Sequence, residues 1–173
     1  MDNSISDDFI SSILDEIENS KIDQNSMAEE GKYLTFTLAG ETYGILILKV
    51  REIIKILPIT RLVQCPNSLR GVINLRDQVI PVCDLRALFG LEKIDHTDQT
   101  CIIVVEIWHE LKLKQVGIIV DSVSEVLNIT EEDFVEVPET LAELNIFYLL
   151  AMANIKGKLI IVLNTDNLLR NLT

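Results

Sequence analysis

Residues 71–89 read GVINLRDQVIPVCDLRALF, and eighty residues later, at 151–169, the chain reads AMANIKGKLIIVLNTDNLL. Laid together, Asn74 meets Asn154, Val82 meets Val162 and Leu88 meets Leu168. Arg76 meets Lys156, and Asp84 meets Asn164. Both copies run from an apolar stretch to a short polar corner, return as a second apolar stretch, and then meet a helix-capping residue. That order of residue types predicts a repeated hairpin-plus-helix unit.

The repeat extends backwards at an offset of seventy-three. Tyr43-Gly44-Ile45 through Val50-x-Glu52-Ile53-Ile54 lines up with Val116-Gly117-Ile118 through Val123-x-Glu125-Val126-Leu127. The change of offset requires about seven extra residues before Asn154, and the acidic stretch 131–143 can supply them. Any two β-rich segments share some alternation, but two separate blocks agreeing in order favour duplication.

From Lys32 the apolar period is two. Tyr33, Thr35 and Thr37 alternate with Leu34, Phe36 and Leu38, which predicts a half-buried strand. Ala39-Gly40-Glu41 turns the chain, and Tyr43–Ile47 returns it. Further strands are expected at 50–57, 61–63, 71–75 and 78–83. Pro81 inside the last of these predicts an edge or a bulge, because proline cannot donate to a ladder. Asp84 can cap a short helix, DLRALF, ended by Gly90. The second half opens with Thr100–Trp108, turns at His109–Lys112 and returns at Gln115–Val120. Strands near 125–129, 134–137, 148–155 and 158–163 follow, with Asn164 or Thr165 capping a last helix that ends near Asn171. Many short strands at this spacing predict small barrels or a sandwich.

Residues 1–30 stand apart as an acidic leader. They carry nine acids against Lys21 alone, a balance of −8, whereas the rest of the chain has 18 acids against 14 bases, or −4, within a total of −12. Ile5, Phe9, Ile10, Ile13, Leu14 and Ile17 nearly follow helical spacing. The leader is either a short amphipathic helix or a solubilising tail, since helices this short are marginal alone. The acidic balance disfavours nucleic acid as a partner. No apolar run approaches the roughly 18 residues of a membrane span, and MDNSISDDF lacks a signal peptide's basic start, so a cytoplasmic protein is expected. Cys65, Cys83 and Cys101 are too few and too scattered for a disulfide framework or a zinc site; Cys83 and Cys101 read as buried thiols.

Catalytic groups are not apparent. The seven glycines never cluster into a phosphate loop, His96 and His109 lack partners at metal-ligand spacing, and no serine sits in a nucleophile elbow. No enzyme, metal or cofactor is expected, although a regulatory nucleotide binder is the alternative from another class. A β-rich chain of this kind works by presenting faces and edges. Arg76, at a hairpin tip, offers a fork of donors to a carboxylate, or is an ordinary solvated turn residue.

YLTFTLAGETYGILILKVREI, the run through Pro66, GVINLR, VIPVCDLRALFG and GIIVDSVSEVL closely resemble the CheW family of bacterial chemotaxis coupling proteins. The resemblance covers about 32–172 and makes 31–172 a CheW-like domain. It implies a mainly β fold of two intertwined SH3-like five-stranded β-barrel subdomains around a shared core, with a few short helices. It implies a non-catalytic adaptor bridging the cytoplasmic tip of chemoreceptors and the regulatory domain of a CheA-like histidine kinase, peripheral to the membrane rather than inserted in it. An adaptor of the same fold serving another chemosensory or motility pathway is the alternative. A CheV-type protein with an appended receiver domain is disfavoured because the chain stops at Thr173.

Carried over residue by residue, Arg76 matches the arginine of the family's NLRG corner, and Glu52 the acid that can pair with it. Val50 and Gly71 match positions associated with receptor contact, and Thr60 a further family position. An exposed Glu52–Arg76 pair would add only ~0–1 kcal/mol to stability. The family glycine after the arginine is Asp77 here. Glycine permits a positive φ that aspartate tolerates less well, so either the turn changes type or Asp77 itself binds Arg76.

Overall fold

The structure, a computed structural model, describes residues 6–21, 30–144 and 146–170. The first element is a helix, α1 (Asp7–Lys21), started by Ser6, whose Oγ accepts from the Phe9 N–H at 3.1 Å. The strands of the first half are β1 (Gly31–Leu38), β2 (Glu41–Leu46), β3 (Val50–Lys55), β4 (Leu69–Leu75) and β5 (Gln78–Asp84), followed by the short helix α2 (Leu85–Leu88). The second half holds β6 (Cys101–His109), β7 (Lys112–Val120), β8 (Ser122–Ile129), β9 (Phe134–Val135), the helix α3 (Glu139–Glu143), β10 (Leu149–Ile155), β11 (Lys158–Leu163) and α4 (Thr165–Leu169).

These strands form two sheets, ordered β8-β1-β2-β11-β10-β9 and β3-β6-β7-β5-β4. Under the repeat, β3 corresponds to β8, β1 to β6, β2 to β7, β5 to β11 and β4 to β10. The two orders are then the same, apart from the two-residue β9 that adds a sixth strand to the first sheet. Each sheet combines the opening hairpin of one half with the closing strands of the other. The register agrees. Val82 pairs with Gly117 across the parallel β5–β7 ladder, and Val162 pairs with Gly44 across β11–β2. The fold is therefore mainly β, with two SH3-like subdomains. No ladder closes either sheet into a barrel among the described residues.

Three apolar cores follow from this exchange. A shared core takes Leu34, Phe36 and Ile45 from one sheet, Ile53, Ile103 and Ile118 from the other, and Leu168 and Leu169 from α4. Each sheet also has a private core on its outer side, one built on Ile73, Ile80 and Val82, the other on Ala153, Ile160 and Val162. These are equivalent triplets. Strands covered on both faces read as unbroken apolar runs, which explains Cys101–Val105. It also corrects the reading of β1, whose Thr35 is buried along with Tyr33, Leu34 and Phe36.

Two other expectations change, and one open alternative is decided. Residues 61–63 are not a strand; β3 ends at Lys55, and the irregular chain after it pairs with β4 through a Thr60–Val72 bridge. Pro81 lies in β5, an interior strand between β7 and β4. It is tolerated because Val72, opposite it, turns its N–H and C=O to Thr60 (both bonds 2.9 Å), so the nitrogen of Pro81 faces β7. The β5–β7 ladder begins one residue later, at Val82, and no bond is lost. Asn164, not Thr165, caps α4, accepting from the Asn167 N–H at 3.1 Å. Its expected end near Asn171 lies outside the described residues.

Asp84 caps α2 as expected, accepting from the Arg86 N–H at 3.0 Å. From α2, Arg86 grips Asp121 with two bonds, 2.8 and 2.7 Å, while the second Asp121 oxygen also accepts from the Ala39 N–H at 2.8 Å. This clasp ties the helix after β5 to the β1–β2 turn in the other sheet. Burial alone would raise the Asp121 carboxyl, but the bonds from Arg86 and Ala39 outweigh it and hold the group below its ordinary range.

Candidate functional site

Leu75 pairs with Gln78, so the β4–β5 hairpin turns on Arg76 and Asp77 alone. Their φ values are 48° and 65°, a turn of type I′, which matches the right-handed twist of the strands it joins. The equivalent turn, Lys156-Gly157, has φ values of 53° and 80°. Asp77 therefore does not change the turn type; its short polar side chain accepts the left-handed conformation at an exposed tip. Nor does it bind Arg76. The Arg76 Nη1 donates instead to Glu52 Oε2 at 2.6 Å.

Glu52 reaches the corner because β3 bulges. Val50 pairs with Val105 and Glu52 with Val104, leaving Arg51 as the extra residue. The bulge breaks the alternation, so Val50 and Ile53 both enter the shared core while Glu52 faces the corner. Arg51 reaches Glu106 at 3.5 Å. The same bulge recurs in β8, between Val123 and Val126 opposite Phe36 and Leu34, but no ion pair forms there; the Glu125 carbonyl accepts from Thr35 Oγ1 at 2.8 Å. The two corners share a backbone and carry an acid and a base each, but only the first pair meets.

In the Glu52–Arg76 pair the glutamate side chain is 11 % exposed and the arginine 77 %. The carboxylate anchors; the guanidinium is offered to solvent with donors to spare. Arg51, Glu52, Leu75, Arg76, Gln78 and Gln115 line a hollow of about 180 Å³ beside it.

The other expected residues lie apart from this pair. Val50 is fully buried, so it shapes the corner from beneath. Gly71 and Thr60 meet each other at the far end of β4, roughly 16 Å from Arg76 along five residues of strand. Gly71 has φ 147°, and a Cβ there would stand 2.0 Å from the Thr60 carbonyl oxygen. The glycine is needed for that close approach.

An apolar surface next to the corner escaped the sequence reading. Trp108 and Leu113 are cross-strand partners on the β6–β7 hairpin and are 57 % and 50 % exposed. Leu113, Val79 and Ile80 line a second hollow of about 390 Å³ that shares Gln78 and Gln115 with the first. The hairpin tip, Glu110-Leu111, is another two-residue turn with positive φ at both positions, and Leu111 is 95 % exposed. The signal was available in Ile107-Trp108, where strand alternation turns the chain's single tryptophan away from the buried isoleucine.

Cys83 and Cys101 are buried, and burial pushes both thiols up to about 12, out of nucleophile range. No cluster of three or more His, Cys, Asp or Glu suited to a metal ion occurs among the described residues, and no described helix is long and apolar enough to cross a membrane.

Residues 32–173 match the family model for the CheW-like domain. The chain belongs to the CheW family. It is 35% identical over 150 residues to the chemotaxis protein CheW of Klebsiella aerogenes, covering 87% of each chain. It is 32% identical over 148 residues to the chemotaxis protein CheW of Helicobacter pylori, covering 85% of this chain and 86% of that one. The crystal structure of the scaffolding protein TtCheW from Thermoanaerobacter tengcongensis superposes with a TM-score of 0.70 at 34% identity, covering 80% of this chain and 92% of that one. CheW proteins are a chemotaxis scaffold family, and the exchanged sheets and the Glu52–Arg76 corner lie within the matched domain.

Proposed function

We propose that this protein is a non-catalytic adaptor that couples the cytoplasmic tips of chemoreceptors to the regulatory domain of a CheA-type histidine kinase. The reading places it in the cytoplasm, at the inner face of receptor arrays. The observation that carries it is the Glu52–Arg76 pair, a mostly exposed guanidinium held on a nearly buried carboxylate at a hairpin tip. Such a group recognises a partner's acidic or carbonyl groups at little entropic cost, because its carboxylate already fixes its position. Beside it, Trp108, Leu113 and Val79 supply the aromatic and apolar area that interface centres use. Membership in a scaffold family supports binding rather than chemistry.

Coupling then requires contacts whose free energy differs between receptor states. Pull-down of the kinase regulatory domain and of a receptor signalling-tip fragment tests the proposal. Arg76→Glu and Trp108→Ala should each weaken capture of at least one partner while the chain stays folded at the assay temperature, read by circular dichroism. Capture of neither partner by the parent chain would overturn it.

A further inference from the structure

At the end of β4 far from Arg76, the side chains of Arg61, Arg70 and Lys93 converge with Ile59 on a hollow of about 200 Å³. No acid lines it, although the chain as a whole carries a net charge of −12. Three separate constraints gather these bases. The Thr60–Val72 bridge, with its two 2.9 Å bonds, pins residues 59–61 along β4 and so fixes where Arg61 starts. Leu69 pairs with Cys83 and Gly71 with Val82, which leaves Arg70 as the extra residue of a bulge, a device that re-aims a side chain. The Arg70 Nε lies 3.6 Å from Asp84 Oδ2, on the carboxylate that caps α2. Lys93 follows a segment held to α2 twice, by the Leu91 N–H on the Arg86 carbonyl and by Arg86 Nη1 on the Glu92 carbonyl, both at 2.8 Å.

The fold does not require these charges. In the second copy the same bulge falls between Leu149 and Ala151, with Leu150 as the extra residue, so leucine satisfies the backbone where the first copy has arginine. Arg61 and Lys93 have no ion-pair partner among the described residues, and Asp84 offsets at most the charge of Arg70. Cations brought together in this way repel one another, and an anion seated between them relieves that repulsion. We propose that the hollow is a binding site for a phosphate monoester. Two guanidinium forks and an ammonium match a doubly charged tetrahedral group better than a single carboxylate, because each fork can take two phosphate oxygens. The volume exceeds that of a phosphoryl group, and Ile59 offers an apolar wall to the organic part of the ester. The site stands apart from the Glu52–Arg76 corner and does not depend on receptor coupling.

The test titrates inorganic phosphate, glycerol 3-phosphate and a phosphoserine peptide into the full-length chain at constant ionic strength, with acetate as the control for charge alone. The arginine Nε–Hε resonances in nuclear magnetic resonance spectra report where each anion sits. Binding of the phosphates should saturate and move the resonances of Arg61 and Arg70 while leaving that of Arg76 in place. Arg61→Gln and Lys93→Gln should each weaken binding about fivefold. Arg70→Leu, which gives this bulge the residue type of its counterpart, should weaken it further. If Arg70→Leu fails to fold, Arg61→Gln and Lys93→Gln decide alone. Glycerol 3-phosphate binding more tightly than the peptide supports a free ester as the ligand; the reverse order supports a phosphorylated side chain. Titrations that never saturate, shifts shared equally by Arg76, or acetate as effective as phosphate overturn the site.

Discussion

The Arg76 guanidinium lies on the Glu52 carboxylate at 2.6 Å, yet the two partners stand in different media, one nearly buried and one nearly free. Removing either therefore has unequal consequences. Arg76→Ala leaves a carboxylate unpaired where water reaches it poorly, whereas Glu52→Gln releases an arginine into solvent. We expect Arg76→Ala to cost about 1 kcal/mol and Glu52→Gln about half that. Urea unfolding of both single variants and the double variant gives the coupling. A coupling above about 2 kcal/mol would make the corner a structural brace rather than a presented surface.

Asp77 holds φ 65° where the second copy has Gly157 at φ 80°. Left-handed backbone costs a side-chain-bearing residue more than glycine, with aspartate among the less penalised. Asp77→Gly should raise stability by up to about 1 kcal/mol and leave the Glu52–Arg76 pair in place. It also removes a carboxylate next to the exposed guanidinium, so binding to an acidic partner surface should strengthen, more at low salt than at high. Calorimetric titration at two ionic strengths measures this.

The duplication was legible because repeat positions are tied to backbone demands. Val82 and Val162 face Gly117 and Gly44 across the two parallel ladders, so the residue types recur where the geometry recurs. The exchange of hairpins between sheets was not legible, since alternation records which face a residue takes and not which sheet it joins. Val50 entered as a contact position through the family resemblance alone, since sequence does not show the one bulged residue that sends it, with Ile53, into the shared core. Pro81 read as an edge marker because sequence does not show that its ladder to β7 starts one residue later.

Gly71 answers to a steric demand. A methyl group there would stand 2.0 Å from the Thr60 carbonyl oxygen, at φ 147°. Gly71→Ala combines overpacking with backbone strain and should cost about 3 kcal/mol. The Thr60 side chain takes no part in that approach, so Thr60→Ala should stay within about 0.5 kcal/mol of the parent. Any binding defect of Gly71→Ala should then follow its loss of fold, read by comparing binding and circular dichroism across temperature. A defect at full folding would restore a direct contact role.

The Arg86–Asp121 clasp sets a pH dependence with a definite sign. Burial pushes the Asp121 carboxyl up, and the bonds from Arg86 and the Ala39 N–H pull it further down, below its ordinary value of 3.8. The unfolded chain thus takes up the proton more readily than the folded one. The clasp's contribution is complete above about pH 5, where both states are ionised, and is lost as pH falls through the folded value. Asp121→Asn keeps the shape and removes the charge, so it should cost about 2 kcal/mol at neutral pH and progressively less in acid. The parent and variant curves of stability against pH should converge below pH 4. Curves that stay parallel across that range would show that Asp121 contributes through packing and not through its charge.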